Sequence, residues 1–255
     1  MRINHNISAL NTHRNMGMNN VASGKSMEKL ASGLRINRAA DDAAGLAVSE
    51  KMRGQIRGLE QAQKNVQDGI SFVQTAEGAM NEVSSMLTRM KELLVQSSNG
   101  TYETSDVSNI KLEMSQLGNQ IDDIMANTKF NGMQIYSGAD IASDADATKI
   151  SIGDIATGDF TGLSATTSLT DVDTAIKSVA LERAKLGAVQ NRLEYTSNNL
   201  GTTVENLTAS ESRIRDTDMA KEMVNLTKNN ILLQASQSML AQANSQPQGV
   251  LSLLQ

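Results

Sequence analysis

Apolar side chains recur every seventh residue over two long stretches of the chain. Met52, Leu59, Val66, Val73, Met80, Leu87 and Leu94 form the first row, with Ile56 and Ile70 filling two positions four residues on. This spacing predicts an amphipathic helix that keeps one apolar seam over many turns. At ~1.5 Å per residue it runs on the order of 60 Å. Asn99-Gly100 is the expected stop, because Gly tolerates the left-handed conformation of a helix C-cap. Val107, Ile110, Met114, Leu117, Ile121 and Ile124 predict a second helix, with Thr104, Ser105 or Asp106 to cap its start. The seven-residue row returns as Val179, Leu186, Leu193, Leu200, Leu207 and Ile214. Two such seams satisfy each other as an antiparallel pair, with the shorter helix as a third member.

The two ends carry weaker helical patterns. Met219, Leu226, Leu233 and Leu240 continue a heptad row toward the C-terminus, where Pro247 is the first breaker before an apolar tail. Ile3, Ile7, Leu10 and Val21 share a helical face near the N-terminus, diluted by Gly17, Gly24 and Gly33. Each Gly inside a helix costs about 1 kcal/mol relative to Ala, so this segment needs a partner to bury its apolar face. Between the seams, residues 132–170 are rich in Gly, Ser, Thr, Ala and Asp, and the short runs 133–136 and 149–152 read as small strands or a hairpin. The pattern predicts a mainly α fold: long antiparallel helices in a rod-like coiled-coil bundle, with a small β-hairpin or loop-rich excursion in the middle. The expected organisation is an assembly helix over 1–40, rod halves over 41–130 and 171–214, the excursion over 131–170, and a second assembly helix over 215–255.

Composition supports helices over an ordinary globule. Three Phe, three Tyr and no Trp leave few large flat side chains for a compact core, and a single Pro leaves few breaks. The absence of Cys excludes disulfides, thiolate nucleophiles and thiolate metal sites. Arg2, His5, His13 and Arg14 interrupt any apolar run at the start, which argues against a cleavable signal peptide and a membrane span. The net charge is −5, but residues 1–40 carry six basic side chains against one acid, which leaves the remainder at −10. A basic arm without an aromatic or a dense Lys/Arg cluster does not read as a nucleic-acid binder.

Candidate chemistry fails on spacing. The SGKS run at 23–26 lacks the Gly that a phosphate loop needs five residues earlier, where Asn19 stands. Asp144, Asp146 and Thr148 begin like a calcium loop, but Lys149 occupies the sharp-turn position and no Glu closes it. His5 and His13 have no partner at ligand spacing, and no nucleophile, base and orienter can be assembled. No catalytic, cofactor or metal residue is expected, and the chain is not expected to be an enzyme.

The residues that carry the heptad rows also carry a resemblance. INHNISALNTHRN at 3–15, LASGLRINRAADDAAGLAVSEKMRGQIRGL at 30–59 and NVQDGISFVQTAEGAMNEV at 65–83 resemble the N-terminal signature of bacterial flagellins. LGAVQNRLEYTSNNL at 186–200, SRIRDTDMAKEM at 212–223 and LAQANSQPQGVLSLL at 240–254 resemble its C-terminal half, and LTRMKELLVQSSNGT and FNGMQIY fall between in the same order. The middle is short, so the likeness is to a minimal form without large outer domains, and without the HExxH of the peptidase that some members carry there.

The resemblance implies a structural subunit that polymerises into the flagellar filament for swimming. Its two ends would pair as an inner tube, with Ile3, Ile7, Leu10, Val21, Met219, Leu226, Leu233 and Leu240 as assembly residues, and the long helices would form an outer tube. It implies a homopolymer and further partners in the export apparatus, a chaperone covering the face of Leu226, Leu233, Leu240 and Leu251, the filament cap and hook-junction proteins. It also implies an extracellular location, and recognition of the monomer by an animal Toll-like innate-immune receptor through Arg89, Leu93 and Glu113. No membrane or nucleic-acid partner is implied. The rivals are a hook-filament junction protein, disfavoured by the long internal motifs, and a secreted coiled-coil adhesin or export translocator that forms no filament.

Overall fold

The computed structural model describes residues 6–253 other than 147, 159 and 165, with side chains described as far as Gln246. It is mainly helical. In chain order the elements are α1 (Ile7–Ser32), α2 (Ala43–Ser97), α3 (Thr104–Asn127), β1 (Lys129–Phe130), β2 (Met133–Gln134), a 3₁₀ turn (Ile135–Ser137), β3 (Ala139–Ala142), β4 (Lys149–Ile152), α4 (Leu169–Arg215) and α5 (Met219–Leu253). The chain divides into two compact units, 55–206 and 1–54 with 207–255.

The unit of 55–206 is built on the seams read from the sequence. Along α2, Leu59, Ala62, Val66, Val73, Ala76, Met80, Val83, Leu87, Met90 and Leu93 are buried, alternating three and four residues apart almost throughout. Val172, Ala175, Val179, Leu186, Leu193 and Leu200 of α4 and Ile110, Met114, Ile121 and Met125 of α3 complete the core. The ion pairs Lys91–Asp173 (2.7 Å) and Arg183–Glu77 (3.6 Å) show that α2 and α4 run antiparallel. Each buried aliphatic side chain contributes about 1.5–3 kcal/mol and an exposed ion pair about 0–1, so the seam rather than the charges holds the helices. Glu182, a charged residue at a seam position, is 4% exposed and meets Lys185 Nζ at 2.8 Å.

The polar middle lies against the helical frame of the same unit. Asn131 (φ 49°) and Gly132 (φ 83°) turn the β1–β2 hairpin, in which Phe130 pairs with Met133. An Asn-Gly pair takes two successive left-handed conformations at little cost, which is why FNGM turns so tightly. β3 and β4 pair antiparallel, Ile141 opposite Ile150. Ile141 and Ala145 pack against Gly69 and Gly58 of α2, and the Leu163 carbonyl packs against Gly118 of α3, positions where a Cβ would collide. The Phe72 and Phe130 rings meet edge to face at 5.8 Å. Ile135, Tyr136, Ile150, Ile152, Ile155 and Phe160 are buried too, so the excursion contributes its apolar side chains to the helical core.

Several boundaries differ from the sequence pattern. α2 ends at Ser97, and Gly100 is not left-handed. Ser97 and Ser98 each donate Oγ to the Leu94 carbonyl, at 2.9 and 2.8 Å, a side-chain bond that competes with the helix ladder. The N-cap of α3 is Glu103, without a side-chain bond, rather than Thr104, Ser105 or Asp106. Gly33 does not dilute α1 but ends it in the left-handed conformation (φ 71°), its N–H donating to the Lys29 carbonyl. Only Met133 and Gln134 of the run 133–136 form a strand; the chain then tightens into the 3₁₀ turn. Pro247 does not end α5, which continues to Leu253.

Gly118→Ala is expected to lower the thermal unfolding midpoint, by an overpacking penalty of roughly 1–3 kcal/mol. Gly78→Ala, with open space at its Cβ position, is expected to raise it by up to about 1 kcal/mol through helix propensity. Circular dichroism melts of the two variants check the close approach at α3, and equal shifts of one sign would contradict it.

Candidate assembly interface

α1 and α5, both in the second unit, pair closely and antiparallel. Along α1, Ala9, Thr12, Met16, Asn19, Ser23, Ser26 and Leu30 form a buried or half-buried row three and four residues apart, with Ala22, Glu28 and Lys29 half-buried beside it. Most of them are small or polar. On α5 the half-buried Leu226, Leu233 and Leu240 alternate with Asn229, Ser236 and the buried Ala243. Asn19 Nδ2 donates to Ser236 Oγ (3.3 Å) and Ser23 Oγ to Asn230 Oδ1 (3.0 Å). Helix separation depends on the side chains at the contact, so the small Ala, Ser and Thr positions among the leucines ease the approach, and the Asn19–Ser236 and Ser23–Asn230 pairs fix one register. The SGKS run thus lies inside a helix, with Ser23 and Ser26 facing the seam.

Asn6 closes the far end of the pair. Its Oδ1 accepts from Ala9 N–H (3.0 Å), capping α1, and its Nδ2 donates to the Ala243 carbonyl (2.7 Å). That carbonyl lies four residues before Pro247, which has no N–H to offer it. Asn6 supplies the missing donor, which helps to explain why the helix runs on through the proline.

Many apolar side chains of the pair point away from this seam, although Met16, Leu30, Leu226, Leu233 and Leu240 enter it. Ile7, Leu10 and Val21 are 64, 71 and 63% exposed, and Met18 and Met27 lie outward with them. On α5 the outward set is Met219, Met223, Val224, Ile231, Leu232 and Met239. Met223, Val224, Thr227, Lys228, Ile231 and Leu232 line a shallow groove of about 470 Å³. Of the assembly residues read from the sequence, Ile7, Leu10, Val21 and Met219 therefore present surface. Leu226, Leu233 and Leu240 belong chiefly to the seam, and Ile3 and the side chain of Leu251 lie outside the described residues. The sequence reading missed the α5 groove, whose signal was the adjacent apolar pairs at 223–224 and 231–232.

The segments joining the helices are stitched together in the same unit. Leu34 bridges Asp216, Arg35 N–H donates to the Arg215 carbonyl (2.6 Å) and Thr217 N–H to the Gly33 carbonyl (3.0 Å). Arg215 Nη1 reaches Glu50 Oε1 (2.7 Å) and Ser49 Oγ (3.3 Å). The Arg215 hydrogen bond is the largest cause holding the Glu50 carboxyl below its ordinary range. Asp41 is held low as well, first by the backbone N–H of Arg38 and then by that of Asn37.

In the unit of 55–206, Arg89 of α2 grips Glu113 of α3 through Nη2 and Nε (3.1 and 3.2 Å) and Glu92 through Nη1 (3.1 Å). These hydrogen bonds, to Glu92 first and Glu113 next, raise the guanidinium pKa. Arg89 and Glu113 are exposed. Leu93 is 1% exposed and lies in the seam, so only two of the three residues read from the sequence offer a contact surface. Among the described residues there is no cluster of metal-ligating side chains, and no helix is long and apolar enough to cross a membrane.

Comparison with known proteins assigns these features to a family. The model of the bacterial flagellin N-terminal helical region matches residues 3–140, and that of the C-terminal helical region matches residues 169–254. The chain belongs to the bacterial flagellin family. It is 51% identical over 303 aligned positions to a flagellin of Bacillus subtilis and 53% over 271 to a flagellin of Halalkalibacterium halodurans, each alignment covering both chains fully. It is also 47% identical over 285 positions to the flagellar filament 33 kDa core protein of Treponema phagedenis, again over the whole of both. This flagellin is a structural subunit of the flagellar filament, assembled from identical copies, and not an enzyme.

Asn6→Ala is expected to destabilise the α1–α5 pair by about 1–2 kcal/mol, through a lost cap and an orphaned carbonyl. Part of that loss should return in Asn6→Ala/Pro247→Ala, which restores an N–H for Ala243; hydrogen exchange of the α1 amides measures both. The Glu50 pKa is depressed in the folded state, so its clamp on Arg215 adds stability that is fully present above the ordinary carboxylate pKa. That stability is lost as pH falls through the lowered value. Glu50→Gln should flatten this acid dependence, read as hydrogen exchange at 33–38 and 214–218 against pH.

Proposed function

We propose that copies of this flagellin join through the outward apolar stripes of α1 and α5, which become the inner tube of the filament. The carrying observation is that the pair, whose seam already holds Leu226, Leu233 and Leu240, still leaves Ile7, Leu10, Val21, Met223, Val224 and Ile231 exposed. Apolar surface of this kind is rarely left bare on a soluble monomer, and burial against sister molecules removes it from water. Contacts between different surfaces of successive copies propagate a helix rather than close a ring. In this reading 1–40 and 215–255 line the channel, while 41–130 and 171–214 form the outer tube.

The further partners follow from the same surfaces. The chain leaves the cell through the flagellar export apparatus, and the filament is extracellular. A chaperone covers the α5 groove at Met223, Val224, Ile231 and Leu232 before export, and the cap and hook-junction proteins meet the same helices at the filament ends. The free monomer is recognised by an animal Toll-like receptor. The exposed Arg89–Glu113 pair supports that reading, with Leu93 positioning Arg89 from beneath.

Ile7→Asp/Val21→Asp is expected to leave the helical content and the unfolding midpoint of the 55–206 unit unchanged. Withdrawing two aliphatic contacts of about 1.5–3 kcal/mol each should raise the critical concentration for seeded polymerisation at least tenfold. Light scattering and electron microscopy measure it, and filaments forming at the unsubstituted concentration would overturn the assignment. For the receptor, monomeric Arg89→Ala should activate receptor-bearing cells less than the unsubstituted monomer at equal concentration, and equal activation would remove that role.

A further inference from the structure

α4 has a second apolar row on the face opposite its buried seam. Leu181, Ala188 and Tyr195 follow at seven-residue spacing, all exposed, and Tyr195 is 76% exposed in a chain with only six Phe and Tyr. Aromatic side chains are the common anchors of protein contacts, because they withdraw a large rigid surface from water at little entropic cost. Arg192 stands one turn from Tyr195 and, among the described residues, has no ion-pair partner.

The same unit also carries a complementary hollow. A groove of about 320 Å³ lies between α2 and the two hairpins, walled by Phe72, Phe130, Met133 and Ile141. Met133 is 55% exposed on its edge. Two carboxylates border it. Asp140 is engaged by Lys149 and by Ser151, whereas Asp68 has no ion pair among the described residues. The hollow is thus apolar with a free negative charge at its border, and the α4 row is apolar with a free positive charge beside it.

We propose that Tyr195 of one copy seats in the Phe72–Phe130–Met133 groove of a second copy, with its Arg192 against the second copy's Asp68. Knob and groove lie on different surfaces of one molecule, so the contact is head-to-tail and can repeat indefinitely. It adds to the filament a side contact made by the 55–206 unit, separate from the α1 and α5 stripes. The matched charges fix orientation and exclude misaligned encounters.

The absence of native cysteine makes the test clean. Tyr195→Cys/Met133→Cys is polymerised, oxidised and run on a denaturing gel. A ladder of dimers, trimers and higher species is expected from filaments, but not from dispersed monomer or from either single variant. Filaments of normal appearance without a ladder would overturn the contact while leaving the α1 and α5 reading intact. A charge exchange decides the matter if the cysteine pair blocks assembly. Arg192→Asp and Asp68→Arg should each raise the critical concentration about tenfold, and the two together should return it to within about threefold of the original. Single variants that polymerise normally, or a double variant no better than the worse single one, would also overturn it.

Discussion

The rest of the molecule's behaviour depends on how α1 and α5 meet. A two-helix contact normally hides its apolar side chains, yet here Ser23, Ser26, Asn19 and Ser236 occupy the inside while Ile7, Leu10, Val21, Met223 and Ile231 face out. Asn19 bonds Ser236 and Ser23 bonds Asn230 there, beside Leu226, Leu233 and Leu240, so the pair forms while a second set of apolar side chains stays unused. That surface remains available for a larger assembly. The unit of 55–206 has the opposite arrangement, with an apolar core closed by α2, α3, α4 and the folded-down middle. One chain therefore combines a part that is satisfied alone and a part that is not.

Much of this was legible in the residues, and the unread portion has physical causes. The heptad rows of α2 and α4 repeat a large apolar side chain for turn after turn, and burial there follows the pattern from Leu59 to Leu87 and from Val179 to Leu200. The α1 seam was hidden because it is written in Ala, Thr, Asn and Ser, which a hydrophobicity reading passes over in favour of Ile7, Leu10 and Val21. Leu226, Leu233 and Leu240 looked equivalent to those residues, but their row faces α1. Periodicity identifies faces without saying which one meets the partner. The placement of the middle was equally unreadable, since what settles it against the frame is the lack of a side chain at Gly58, Gly69 and Gly118.

Local chemistry explains the remaining boundary differences. The serines after α2 turn their hydroxyls back on the Leu94 carbonyl before Gly100 is reached. Pro247 was read as a stop by residue type, whereas its cost depends on whether another donor reaches the stranded carbonyl, and Asn6 does so across 237 residues of sequence. The receptor reading of Arg89 and Glu113 rests on a likeness, to which the geometry adds an exposed cross-helix ion pair, while Leu93 is buried in the seam.

The distance in sequence between Asn6 and Ala243 also bears on biosynthesis. α1 leaves the ribosome well before α5 and must wait for it to gain a mate, and closing so long a loop is slow compared with folding inside the 55–206 unit. A nascent or prematurely terminated chain can complete the self-contained unit but cannot present two ends in register. Connectivity thereby acts as a check on completeness: the α1–α5 pair forms only in a polypeptide translated through α5.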